Sequence, residues 1–145
     1  LMRMKYFMRN MAVTGFFLHG AAALALADMV VIGNPANANR LDKEQVSKIF
    51  LGKTREFPDG KPAKPVDQAE GRQAREEFLS KILHKTEPAL ESYWSTIVFT
   101  GNGSPPDALA DDDAVKKFVA ENPKAVGYID RKAVDSSVKI LFSED

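Results

Sequence analysis

Met29-Val30-Val31-Ile32-Gly33 is an unbroken apolar run with three consecutive β-branched residues. A strand that alternates polar and apolar side chains needs cover on one face. A strand that is apolar throughout needs cover on both. A sheet with helices packed against its faces meets that demand. The chain downstream must therefore supply helices as well as further strands.

It does so in alternation. After the turn-rich stretch from Asn34 to Asn39, Asp42 is placed to cap a helix running to about Leu51. Val46, Ile49 and Phe50 form its apolar stripe, and Gly52 is its stop. Phe57-Pro58-Asp59-Gly60 marks a tight turn, and Ala63 to Val66 reads as a short strand. A second helix opens at Gly71, with Ala74, Phe78 and Ile82 at four-residue spacing. A third starts at Glu87-Pro88 and turns Leu90, Trp94 and Ile97-Val98 inward. Asp111 to Asp113 set negative charge at the positive end of a fourth, which buries Val115, Phe118 and Val119. Val126 to Ile129 and Val138 to Phe142 are the remaining strands. In sheets of this kind ligands bind beyond the carboxyl ends of the strands, which directs attention to the turn from Asp67 to Gln73.

The first 27 residues read as an export signal. Arg3, Lys5 and Arg9 precede an apolar run from Met11 to Leu26, and Ala25-Leu26-Ala27 offers a cleavage site ahead of Asp28. The run is too short for a spanning helix and is interrupted by His19-Gly20. Cleavage leaves a single domain over residues 28–145, periplasmic and without a membrane span. The signal holds three of the 20 basic residues and none of the 20 acidic ones, so the mature chain carries 17 against 20, a net charge of −3. Its lysines are scattered among carboxylates, which excludes a nucleic-acid footprint.

Absent cysteine excludes thiol catalysis and Cys-ligated metals, and His84 as the only histidine beyond the signal excludes a Ser-His-Asp triad in practice. Glu87 with Glu91, and the aspartates at 111 to 113, each fall in one local segment. Glycoside hydrolysis needs carboxylates facing each other across a cleft. The residues therefore assign no catalytic group, metal or cofactor. Trp94, beside Ile97 and Val98 at helical spacing, belongs to the core rather than to a stacking platform with Tyr93 and Phe99. The loop from Gly101 to Pro106 is either a binding loop or a connector.

Ile49-Phe50-Leu51-Gly52-Lys53, the strand at Pro65-Val66, Gly71 ahead of a helix containing Phe78, Trp94, and Val126-Gly127-Tyr128-Ile129 occur in that order. Together they resemble one lobe of the phosphate-binding component of ABC transporters, a two-lobed periplasmic solute-binding family. The resemblance runs from Asp28 to about Phe142. It implies an α/β, periplasmic-binding-protein-like single lobe with a central mixed sheet flanked by about four helices. It also implies a non-enzymatic receptor whose ligand is phosphate or another small oxyanion.

In that family a strand leads to a helix start bearing an arginine and then a Ser-Gly-Thr triplet. The free amides, hydroxyls and guanidinium enclose the anion. Here Gln68 stands at the arginine position and Arg72-Gln73-Ala74 replaces the triplet. The resemblance thus implies a weakened oxyanion site at Gln68, Gly71, Arg72, Gln73 and Arg75. The competing reading makes Arg72 and Arg75 solvated charges pairing with Glu76 or Glu77. In that case the domain is an interaction module that docks on an envelope protein or self-associates through its open face.

Overall fold

The computed structural model describes residues 28–144. The expected signal at residues 1–27 lies outside them. β1 (Met29–Gly33) is buried at every position. The elements that follow are α1 (Lys43–Phe50), β2 (Lys64–Gln68), α2 (Gln73–Phe78), α3 (Glu87–Phe99), β3 (Asp107–Leu109), α4 (Asp112–Glu121), β4 (Ala125–Asp130) and β5 (Lys139–Phe142). They build one mixed sheet in the order β3-β2-β4-β1-β5. β2 runs parallel to β3 and β4, whereas β1 is antiparallel to β4 and β5. The expected α/β architecture is the one that forms.

The uniform apolarity of β1 has the expected consequence. Met29 and Val31 join Val126 and Tyr128 in a core shared with α1, α2 and α3. Val30 and Ile32 point the other way and join Val66, Ala125 and Ile129 against Val115 and Val119 of α4. Successive side chains on a strand face opposite sides, so one five-residue run anchors both layers.

Local signals set the helix starts. Asp42 accepts from the Gln45 amide at 2.8 Å, and the Gln45 side chain accepts from the Asp42 amide at 2.9 Å. This reciprocal cap is worth about 1 kcal/mol. Asp111 caps α4 through the Ala114 amide at 2.8 Å. α4 then lies close on the sheet at Gly127, where an added Cβ would come within 2.5 Å of Val115 Cγ1. The glycine of the Gly-Tyr pair is therefore a packing requirement.

Four features differ from expectation. β2 continues to Gln68, so Asp67 and Gln68 belong to the strand and not to the following turn. α2 starts at Gln73, beyond Gly71, which has φ +88°. It passes into a π-helical turn (Leu79–Leu83) that closes on His84 in the left-handed region, φ 51°. β3 is an additional short edge strand with little burial. Val98 is 52% exposed, although Leu90 and Trp94 are buried as expected. At 100° per residue, Ile97 points within about 20° of Leu90, and Val98 about 80° away.

Candidate functional site

The carboxyl end of β2 carries two buried polar residues, Asp67 at 7% exposure and Gln68 at 0%. Burial of such groups requires partners. The phenol of Tyr128, fully buried on β4, donates to Asp67 Oδ1 and accepts from the Gln68 amide at 3.1 Å. Gln68 Nε2 donates to Tyr128 O at 2.8 Å and to Asp112 Oδ1 at 2.7 Å. Gln68 therefore ties β2 to β4 and to the first turn of α4. Its Oε1 is buried with no hydrogen-bond partner among the described residues.

Arg75 reaches back from α2 to the same strand end. Its Nη1 lies 3.1 Å from Asp67 Oδ1 and donates to Gln68 O at 3.1 Å. Its Nε and Nη2 donate to the two carboxylate oxygens of Glu87 at 2.6 and 2.8 Å. This is the bidentate geometry that makes guanidinium the preferred group for planar oxyanions. Here the oxyanion is a side chain of the same protein. Glu87 opens α3, where the helix dipole also favours negative charge.

The electrostatics follow the contacts. The hydrogen bond from Arg75 lowers the Glu87 carboxyl below its ordinary value of 4.5, and Glu87 in turn raises the guanidinium. Burial raises the Tyr128 phenol, and the charge of Asp67 raises it further. A carboxyl lowered by folding contributes stability above its unfolded value and loses it as pH falls through its folded value. The urea midpoint should therefore fall as pH drops below 4.5, and Glu87→Gln should flatten that acid limb. Denaturation curves of the two proteins from neutral to acid pH test this. Parallel acid limbs would mean that the Arg75–Glu87 pair has no part in the loss.

A cleft of about 750 Å³ opens beside this cluster. Asp67, Glu70, Glu87 and Glu91 line it with a single cation, Arg75. Trp94, Leu90 and the exposed Val98 and Phe99 supply its apolar side. A second cleft, of about 540 Å³, is lined by Tyr93, Arg55 and Lys64. Pro105 and Pro106 border both clefts, so the loop from Gly101 to Pro106 forms part of two cavity walls. Trp94 also contributes to both while remaining buried.

The five residues expected at an oxyanion site thus divide into two groups. Gln68 and Arg75 are brought together, and both are engaged within the protein. Gly71 and Arg72 lie exposed on the turn and Gln73 exposed at the start of α2, and the Arg72 side chain makes no ion pair among the described residues. Arg75 pairs with Glu87 and Asp67, not with Glu76 or Glu77. Residues one or two apart on a helix do not face each other, so those two glutamates were unsuitable partners. Glu77 instead pairs with Lys81 and accepts from the Met29 amide. Asp67, Glu87, Asp112 and Tyr128 complete the cluster. Of these, Tyr128 had the clearest sequence signal, in the Gly127-Tyr128 pair.

No known family profile matches the chain, and no curated protein matches it. Solved structures do. An ABC-type phosphate transport receptor from Vibrio cholerae superposes with TM-score 0.62 at 20% identity over 79% of this chain. A putative phosphate ABC transporter substrate-binding protein with bound phosphate from Clostridium perfringens gives TM-score 0.59 at 24% identity over 79%. A possible phosphate binding protein from Planctomyces limnophilus gives 0.55 at 16% over 83%. The chain spans 45%, 44% and 43% of these proteins respectively, which is less than half of each. The domain therefore has the periplasmic-binding-protein-like fold of one lobe of phosphate ABC transporter substrate-binding proteins.

Proposed function

We propose that this domain is an exported binding module that engages a protein partner and leaves its inherited oxyanion position closed. The observation that carries this reading is the occupation of the Arg75 fork by Glu87 at 2.6 and 2.8 Å. Phosphate would have to displace that carboxylate. A half-open site of millimolar affinity is worth about 4 kcal/mol. Losing charge-assisted hydrogen bonds costs about 2 kcal/mol. The remainder corresponds to tens of millimolar. The four carboxylates lining the larger cleft add repulsion toward any anion.

Export is supported by Arg3, Lys5 and Arg9 ahead of the apolar run ending at Ala25-Leu26-Ala27. Among the described residues no helix is long and apolar enough to cross a membrane. The role needs no catalytic group and no cofactor. A second reading keeps weak phosphate binding at Gln68, Gly71, Arg72, Gln73 and Arg75. What favours it is Arg72, exposed on the turn and without an ion pair among the described residues.

Thermal unfolding with and without phosphate separates the two, with sodium chloride at matched ionic strength as control. At about 10 mM phosphate a millimolar site adds about 1.4 kcal/mol, which raises the midpoint by about 6 °C. The closed-site reading predicts a shift under about 1 °C beyond the control. A larger, saturable shift that Arg72→Ala abolishes would establish the second reading instead.

A further inference from the structure

We propose that the last turn of α3 and the acidic side of the larger cleft dock a partner segment that carries basic side chains next to apolar ones. This rests on the protein-partner reading above and names the chemistry of the partner. Phe99 is 92% exposed and its neighbour Val98 52%, so two large apolar side chains stand side by side in solvent. Single exposed apolar residues are ordinary, but an adjacent pair at the mouth of a cleft marks a contact surface. Glu91 lies two helical turns before Val98 and on the same side of α3. Glu70 approaches from the turn after β2 and lines the same cleft.

Charge complementarity selects the occupant. Asp67 and Glu87 are already satisfied by Arg75. Glu70 and Glu91 are exposed and form no ion pair among the described residues. They leave two uncompensated negative charges beside the apolar pair. The carboxyl end of α3 adds its negative dipole pole at Phe99. An anionic segment is repelled, and a neutral apolar one leaves both carboxylates unanswered. A second copy of the chain is disfavoured, because a two-fold contact through this face would oppose these carboxylates to their own copies. A basic and apolar segment satisfies the whole face, with lysine or arginine heads on Glu70 and Glu91 and an apolar side chain against Val98 and Phe99.

Fluorescence anisotropy with a labelled short peptide bearing several lysines and leucines in a glycine-serine background tests the proposal on the purified protein. Binding is expected, weakened about tenfold or more when glutamates replace the lysines or alanines replace the leucines. Phe99→Ser and Glu91→Lys alter exposed side chains and should each weaken it about tenfold with unchanged melting. The proposal is overturned by absence of binding at about 1 mM peptide, or by binding indifferent to both substitutions. Sedimentation that shows self-association abolished by Phe99→Ser would assign the face to a second copy. The phosphate titration above is read separately. If phosphate does not stabilise the protein and the peptide does not bind, only the partner's chemistry is wrong.

Discussion

Arg75→Met lowers the stability of this domain by about 3–4 kcal/mol at neutral pH. The guanidinium is the joint between three elements: it bonds Asp67 and Gln68 O of β2 and grips Glu87 of α3 from its own position on α2. Methionine restores much of the volume but none of the five-donor fork. Asp67, at 7% exposure, then keeps only the Tyr128 hydroxyl and the Gln68 amide. Glu87 loses both hydrogen bonds from the guanidinium. Removing one member of a buried ion pair costs more than the pair contributes, because the remaining charge stays out of water. Domains of this size are stable by about 5–15 kcal/mol, so the urea midpoint should fall by a large fraction. Arg75→Lys should recover only part of the loss, since an ammonium cannot span both oxygens of Glu87. Full recovery with lysine would mean that charge alone matters there.

Phe78→Ala has an equal or larger effect, about 3–5 kcal/mol. Phe78 is fully buried and stacks on Tyr128 with ring centroids 4.1 Å apart and planes 8° apart. Phe50 meets it edge-on at 4.7 Å. Truncation opens a cavity between α1, α2 and the sheet and removes the surface that holds the Tyr128 ring. The hydroxyl of Tyr128 holds Asp67, so the loss reaches the polar cluster as well as the core. Phe78→Leu preserves apolar bulk and should cost about 1–2 kcal/mol, which keeps the comparison measurable if the alanine variant does not fold. Almost no loss for leucine would mean that the aromatic stack contributes nothing beyond volume.

The parts of the fold written in local periodicity were legible. β1 announced burial on both faces because every residue is apolar, and α1 announced its start through Asp42. Trp94 fell in the core as its spacing required. Parts that depend on tertiary context were not. β3 has only three residues after Pro105-Pro106, two of them exposed, so it is too short to show a period, and it exists because β2 offers it a parallel edge. The inward placement of Val98 failed because the final turn of α3 rotates it away from the sheet.

The site was half legible for a related reason. Gln68 and Arg75 were expected near one strand end, and the fold puts them in contact. That contact consumes the groups expected to meet a ligand. Arg75 and Glu87 are twelve positions apart, across a π-helical turn and the left-handed His84. No helical spacing rule connects them, so a pairing that closes the fork could be read only from coordinates. The Gly127-Tyr128 pair was conspicuous in the sequence, but its roles, close approach to α4 and support of Asp67, are tertiary.

The Arg75 Nε–H signal in a proton–nitrogen correlation spectrum, identified by its loss in Arg75→Met, tests the closed fork most directly. The structure predicts a signal protected from solvent exchange, unmoved by about 10 mM phosphate and lost to rapid exchange in Glu87→Gln. A signal that exchanges freely in the unaltered protein, or that shifts with phosphate along a saturating curve, would contradict the account.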